Sequence, residues 1–167
     1  MTQIELRNTV IASLSSNAPF PVILYQPDAK APPGDYFHYI IVNPYIPYGQ
    51  GVHKNTAVAS AEPEFSFDIK HERIEQATAV FRFVSVSDNA DQAEKMAEDL
   101  QSFFLHGGTL DLYLKGVVCV DAQNPQDVTM YDIDRTKRMW STDVTFRYTR
   151  IDSRTDPNIE HIHFSQE

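Results

Sequence analysis

One cysteine stands among 167 residues, and that scarcity removes two classes of chemistry. Cys119 has no second thiol for an internal disulfide and no thiolate set for a zinc cluster. Glycine is nearly as sparse, at positions 34, 49, 51, 107, 108 and 116. These six build no phosphate-cradling loop: Gly49-Gln50-Gly51 is followed by neither Gly-Lys-Ser/Thr nor a helix. No Gly-x-Ser-x-Gly elbow presents a serine nucleophile. Basic charge is short as well. Fourteen Lys and Arg against 23 Asp and Glu leave −9, a surface that repels phosphate backbones and argues against nucleic-acid binding as the main task. No apolar run approaches the ~20 residues that span a bilayer. Met1-Thr2-Gln3-Ile4-Glu5 lacks the basic start and apolar core of a secretion signal. The expectation is a protein made in the cytosol, without a membrane partner.

What is present is ordinary for a folded chain. Apolar residues make up 42% and charged residues 22%, enough at this length for a single domain over 1–167 with a sizeable core. The chain is organised around residues 74–104. Ala77, Ala79, Phe81 and Phe83 alternate with Gln76, Thr78, Val80, Arg82 and Val84, the period of a strand with one drier face. Ser87, Asp88 and Asn89 break that pattern, and each can cap a helix. Ala93, Met96, Ala97, Leu100, Phe103 and Phe104 then follow helical spacing, opposite Asp91, Glu94, Lys95, Glu98 and Asp99. Gly107-Gly108 stops this helix by relieving the strained backbone after its end.

The other elements follow from the same signals. Residues 2–15 predict a first helix with Ile4, Val10, Ile11 and Leu14 as its apolar stripe and Leu6 near the edge. Strands are predicted at 21–25, 36–42, 65–71, 117–121 and 139–151, a helical turn at 110–115, and a last short strand at 159–164 within a C-terminal segment 153–167. In 139–151, Trp140, Thr142, Val144, Phe146 and Tyr148 share a face. Residues 44–63 hold no sustained period and predict a long irregular loop, one whose tyrosines suit contact with something. The predicted fold is α+β: a mainly antiparallel mixed sheet with two main helices packed on one face.

Chemistry is harder to find. His161 and His163 would share a strand face, but a metal needs a third ligand, and solvated tail histidines are the simpler reading. His38 reads as a half-buried histidine, and His53, His71 and His106 stand alone in or beside loops. Asp132 and Asp134 lie beside Arg135, Lys137 and Arg138, where surface ion pairing suffices. Asp68, Glu72 and Glu75 could gather around a cation, though nothing selects that role. Cys119, within Val117-Val118-Cys119-Val120, reads as a small buried core residue. The expectation is no enzyme, no metal and no cofactor.

One pattern rises above a generic domain. After an N-terminal helix comes Pro33-Gly34-Asp35-Tyr36-Phe37-His38-Tyr39, then Glu72-Arg73-Ile74-Glu75-Gln76-Ala77-Thr78 feeding a strand that ends Phe81-Arg82-Phe83. The helix start Asn89-Ala90-Asp91-Gln92-Ala93 follows, then a strand near Val117 and the string Val144-Thr145-Phe146-Arg147-Tyr148. The chain closes on Asp156-Pro157-Asn158-Ile159-Glu160-His161-Ile162. Over 2–164 this resembles the neck-terminator and tail-terminator proteins of tailed bacteriophages.

The resemblance implies a structural virion protein of tail and neck. It would form a homohexameric ring at the head-proximal end of the tail tube, stop growth of tube and sheath, and dock to neck or connector proteins. DNA would pass through its acidic lumen without specific binding. Within that reading Tyr45, Tyr48 and His53 are placed at a subunit or tube contact. Arg147 and Arg150 are placed opposite acidic residues of a neighbour's second helix, such as Glu98. Two other readings stay open: a different head-completion, tube-adaptor or baseplate component, and a small enzyme or ligand-binding domain.

Overall fold

The two main helices each begin where a polar side chain meets unpaired backbone donors. The computed structural model describes residues 1–27, 30–62, 66–129 and 137–157. Helix α1 spans Gln3–Asn17, and Thr2 and Glu5 cap each other reciprocally: Thr2 Oγ1 accepts from the Glu5 amide at 3.2 Å and Glu5 Oε2 from the Thr2 amide at 2.7 Å. Strand β1 (Val22–Leu24) leads to β2 (Tyr36–Ala59) and β3 (Phe67–Ser87). Asn89 then caps α2 (Ala90–Ser102) by accepting from the Gln92 amide. A π-helical turn, Phe103–Gly107, joins α2 to α3 (Thr109–Leu114), and β4 (Val117–Ala122), β5 (Gln126–Asp127) and β6 (Arg138–Pro157) complete the described chain.

The strands form one six-stranded sheet in the order β1-β2-β3-β6-β4, with β5 also on β6. Among the described residues only the β1–β2 pair is parallel; the others are antiparallel. The fold is therefore the predicted α+β sheet with two main helices. One face of the sheet buries Phe37 and Tyr39 of β2, Ala77, Ala79, Phe81 and Phe83 of β3, and Val144, Phe146 and Tyr148 of β6. Leu6, Val10 and Leu14 of α1 and Met96 and Leu100 of α2 close over that face, together with Phe104. Phe104 packs its ring on Phe83 and Phe146, with centroids 5.2 Å apart in each case. The strand–helix unit at 74–104 thus carries the core, as its alternation predicts.

Several expectations are corrected. On α1 the buried stripe is Leu6, Val10, Ser13 and Leu14, while Ile4 is 63% exposed. Leu6 and Val10 are one turn apart, whereas Ile4 lies roughly 200° from Leu6 around the axis. Ser13 is buried because its hydroxyl donates to Asp111 of α3 at 2.5 Å. Gly108 does not relieve strain: its φ is −95°. It is glycine because the Phe103 ring occupies the space a Cβ would need. Strand β4 is an edge strand, so only Val117 and Ala122 are buried and Cys119 is half-buried.

The largest correction concerns residues 44–63. Residues 44–59 are not an irregular loop: β2 continues through them to Ala59, paired with β3 down to Ala59↔Phe67; 60–62 lie outside the strands, and residue 63 is outside the described residues. The pairing register shifts between Ile41 and Asn43, Asn43 and Ile46, and Tyr48 and Val52. Each bulge resets the alternation, so the period of two vanishes from the sequence. Pro44 and Pro47 are tolerated because β1 covers β2 only at Phe37–Tyr39, leaving the rest as a sheet edge. The predicted strand at 65–71, from Phe67 on, and the one at 75–86 are likewise parts of one β3; residue 65 lies outside the described residues. The predicted strand at 159–164 lies outside the described residues.

Candidate assembly surfaces

Residues 46–59, 67–76 and 149–157 of the three long strands run past the helices as a three-stranded arm. At ~3.3 Å per residue it is about 30 Å long. Among its described side chains only Asp68 and Glu75 are buried. Asp68 closes the tip, accepting from the Ser60 hydroxyl at 2.8 Å and the Ala61 amide at 3.3 Å. Among the described residues no strand pairs with either edge, since β1 ends at Leu24↔Tyr39 and β4 reaches only Tyr148; at the root the Met1 ammonium donates to the Thr149 carbonyl at 3.0 Å.

Register assigns the arm's faces. Ala77 faces the core, so Glu75, Arg73 and His71 share its side, and Gln76, Ile74 and Glu72 take the other. The helix side is a chain of paired charges. The Tyr45 hydroxyl donates to Glu75 Oε1 at 2.5 Å, and Arg73 Nη2 lies 2.7 Å from Glu75 Oε2, an ionic contact rather than an aligned hydrogen bond. The hydrogen bond to the Glu75 carboxylate, and then burial, push the Tyr45 phenol above its ordinary pKa. The Arg150 guanidinium sits 4.5 Å from the Tyr45 ring centroid and pairs with Asp152 at 3.1 Å. Toward the tip, His71 reaches Asn55 at 2.9 Å and Asp156 at 3.3 Å.

The outer side differs. Val52, Ile74 and Ile151 stand opposite one another across all three strands, with Val52 67% and Ile151 47% exposed. The next row is Tyr48, Gln76 and Thr149. Arg147 lies over the exposed Tyr48 ring at 6.0 Å and has no ion pair among the described residues. A shallow groove of about 470 Å³ at the root of the arm is shared by Tyr48, Arg147 and Thr149 with Tyr113 and Val118. Beyond it Leu110, Tyr113 and Leu114 of α3 are exposed.

The residues singled out from sequence therefore fall into separate places. Tyr45 and Arg150 meet on the helix side, with Tyr45 packed against the core. Tyr48 and Arg147 meet on the outer side. His53 is exposed on the helix side opposite Arg73, at a groove of about 330 Å³. Glu98 stands exposed on α2, and no ion pair among the described residues joins it to an arginine. The Val52–Ile74–Ile151 row was not read from the sequence, because its members are apart in the chain and Val52 sits in the stretch whose period the bulges hide.

Other candidates separate too. Glu75 is on the opposite face from Asp68 and Glu72, so the three do not surround a cation, and Glu72 pairs with Lys70 at 2.8 Å. His38 is half-buried between the Tyr25 and Tyr36 rings. His161, His163, Asp132 and Asp134 lie outside the described residues. Among the described residues no three His, Cys, Asp or Glu side chains group as metal ligands, and no helix is long and apolar enough to cross a membrane.

A family model described as "Phage neck terminator protein" matches residues 5–166. The chain belongs to the phage neck terminator family. No curated protein matches it. Neck terminators are structural, so membership places the chain in a phage particle, in association with other tail and neck proteins. For such a protein the surfaces that matter are those that meet other chains, and the arm is a surface that the body leaves uncovered among the described residues.

Proposed function

We propose that this neck terminator forms a hexameric ring at the head-proximal end of the tail tube, where it ends tube and sheath polymerisation and offers the face that joins tail to neck. The observation that carries the proposal is the family match across nearly the whole chain. The arm supports it: a three-stranded ribbon with no strand on either edge among the described residues and few buried side chains is stabilised by what it docks against. The −9 charge supports passage of DNA through the lumen without adhesion. The whole chain acts as one domain. Tyr45, Tyr48, His53, Arg147 and Arg150 form the arm side of the contacts, and Glu98 the helix side.

The test is native mass by light scattering across a concentration series, alone and with purified tail tubes, with negative-stain images of the same samples. The expected result is a hexameric mass with ring-shaped particles, free or at one end of the tubes. A chain that stays monomeric and leaves tube ends bare overturns the proposal.

A further inference from the structure

The two faces of the arm are unequal in a way that selects a partner. On the helix side each charge has an answer: Glu75 has Tyr45 and Arg73, Arg150 has Asp152, and Arg154 has Asp156 at 3.2 Å. On the outer side the Val52–Ile74–Ile151 row is apolar and solvated, and Arg147 lacks a carboxylate among the described residues. The strand segments 46–59, 67–76 and 149–157 hold five Lys and Arg against five Asp and Glu, while the whole chain is at −9. The deficit of positive charge therefore lies elsewhere in the chain.

Helix α2 is its complement. Its solvated side carries Asp91, Glu94, Glu98 and Asp99 against the single cation Lys95, and none of the four carboxylates is in an ion pair among the described residues. Beside Asp99, between the end of α1 and α2, opens a small cleft of about 80 Å³ lined by Leu14, Ala18, Phe20, Met96 and Phe103. That volume suits one aliphatic side chain. From Asp91 to Asp99 is about 12 Å along a helix, and from Arg147 to Ile151 is about 13 Å along a strand.

We propose that the outer face of the arm of one copy seats across α2 of a second copy, with the Val52–Ile74–Ile151 row against the cleft beside Asp99 and Arg147 among the carboxylates toward Asp91. This rests on the assembly reading above and names its contact. The two patches differ, so the contact is heterologous, and its repetition builds a ring where the rotation between copies closes and an open filament where it does not. Its ionic part weakens as salt is raised.

The experiment compares Arg147→Glu, the reversal Asp91→Lys/Glu94→Lys/Glu98→Lys, and their combination. None of these positions has an ion pair among the described residues; because Asp91 stands in the first turn of α2, where a cation opposes the helix dipole, circular dichroism checks that each variant keeps the wild-type fold. Each single set is expected to weaken self-association at least tenfold by sedimentation, with or without tail tubes, and the combination to regain most of it. In a Cys119→Ser background, Ile151→Cys with Asp99→Cys is expected to give a ladder of bismaleimide-linked oligomers. Rings that form equally well in every charge variant and yield no ladder overturn this contact while leaving the assembly reading standing. Arg147→Glu that keeps its self-association but loses tube binding also overturns it, since the occupant is then a tube subunit. Wild-type protein that neither self-associates nor binds tubes overturns both readings.

Discussion

His38 shows how a single side chain links packing to solution behaviour. It lies between the rings of Tyr25 and Tyr36, with centroids 5.0 and 6.3 Å away, and burial lowers its pKa. The folded chain therefore binds fewer protons at this site than the unfolded chain, which titrates near ~6.5. Stability from this site is fully present above that value and is lost as pH falls below it. Chemical unfolding at pH 7.5 and pH 5 is expected to show this loss, and His38→Gln to reduce the difference between the two. An unchanged difference would show that the site titrates as it does in water. Cys119 is a second case: it was expected in the core and is half-buried at the edge strand, yet burial still pushes its thiol up to about 11. A thiol held that high stays protonated near neutral pH, the weakly nucleophilic form.

At the scale of elements, the junction after α2 depends on one missing carbon. The π turn carries Phe103 back over Gly108, whose backbone conformation any residue can adopt. Gly108→Ala is expected to cost about 1–3 kcal/mol by overpacking, measured as a lower denaturation midpoint with unchanged slope. Adding Phe103→Leu should recover part of the loss; no recovery would place the cost in the backbone instead. The glycine is visible in the sequence, but its reason is not, because the Phe103 ring closes on it only through the π geometry. The arm teaches the same lesson on a larger element. Its strand character in 65–71 and 139–151 is legible, since those stretches alternate. In 44–59 the bulges break the alternation, so strand pairing, which the sequence does not display, supplies the order.

For the whole molecule, the body and the arm are stabilised differently. Apolar burial on one sheet face holds the body, whereas the arm relies on backbone ladders and cross-strand polar contacts. In the free chain, amides of 52–58 and 150–156 are expected to exchange with solvent faster than those of 77–86 by hydrogen–deuterium mass spectrometry. On assembly the arm amides should slow markedly while those of 77–86 change little. Arm exchange that is the same in free and assembled protein would show that the arm is not a contact surface.

The sequence by itself determined the α+β class, the strand–helix unit at 74–104, the core face of β3 and β6, and the family, because local periodicity and short strings act over a few residues. It also exposed Tyr48, Arg147 and Glu98 as candidates. Only the tertiary structure decided that 44–59 is strand, that Tyr45 and Arg150 share one side of an arm while Tyr48 and Arg147 share the other, and that Val52, Ile74 and Ile151 make one row. Those facts come from register between strands far apart in the chain, and bulges set that register by hydrogen bonding that no single stretch encodes.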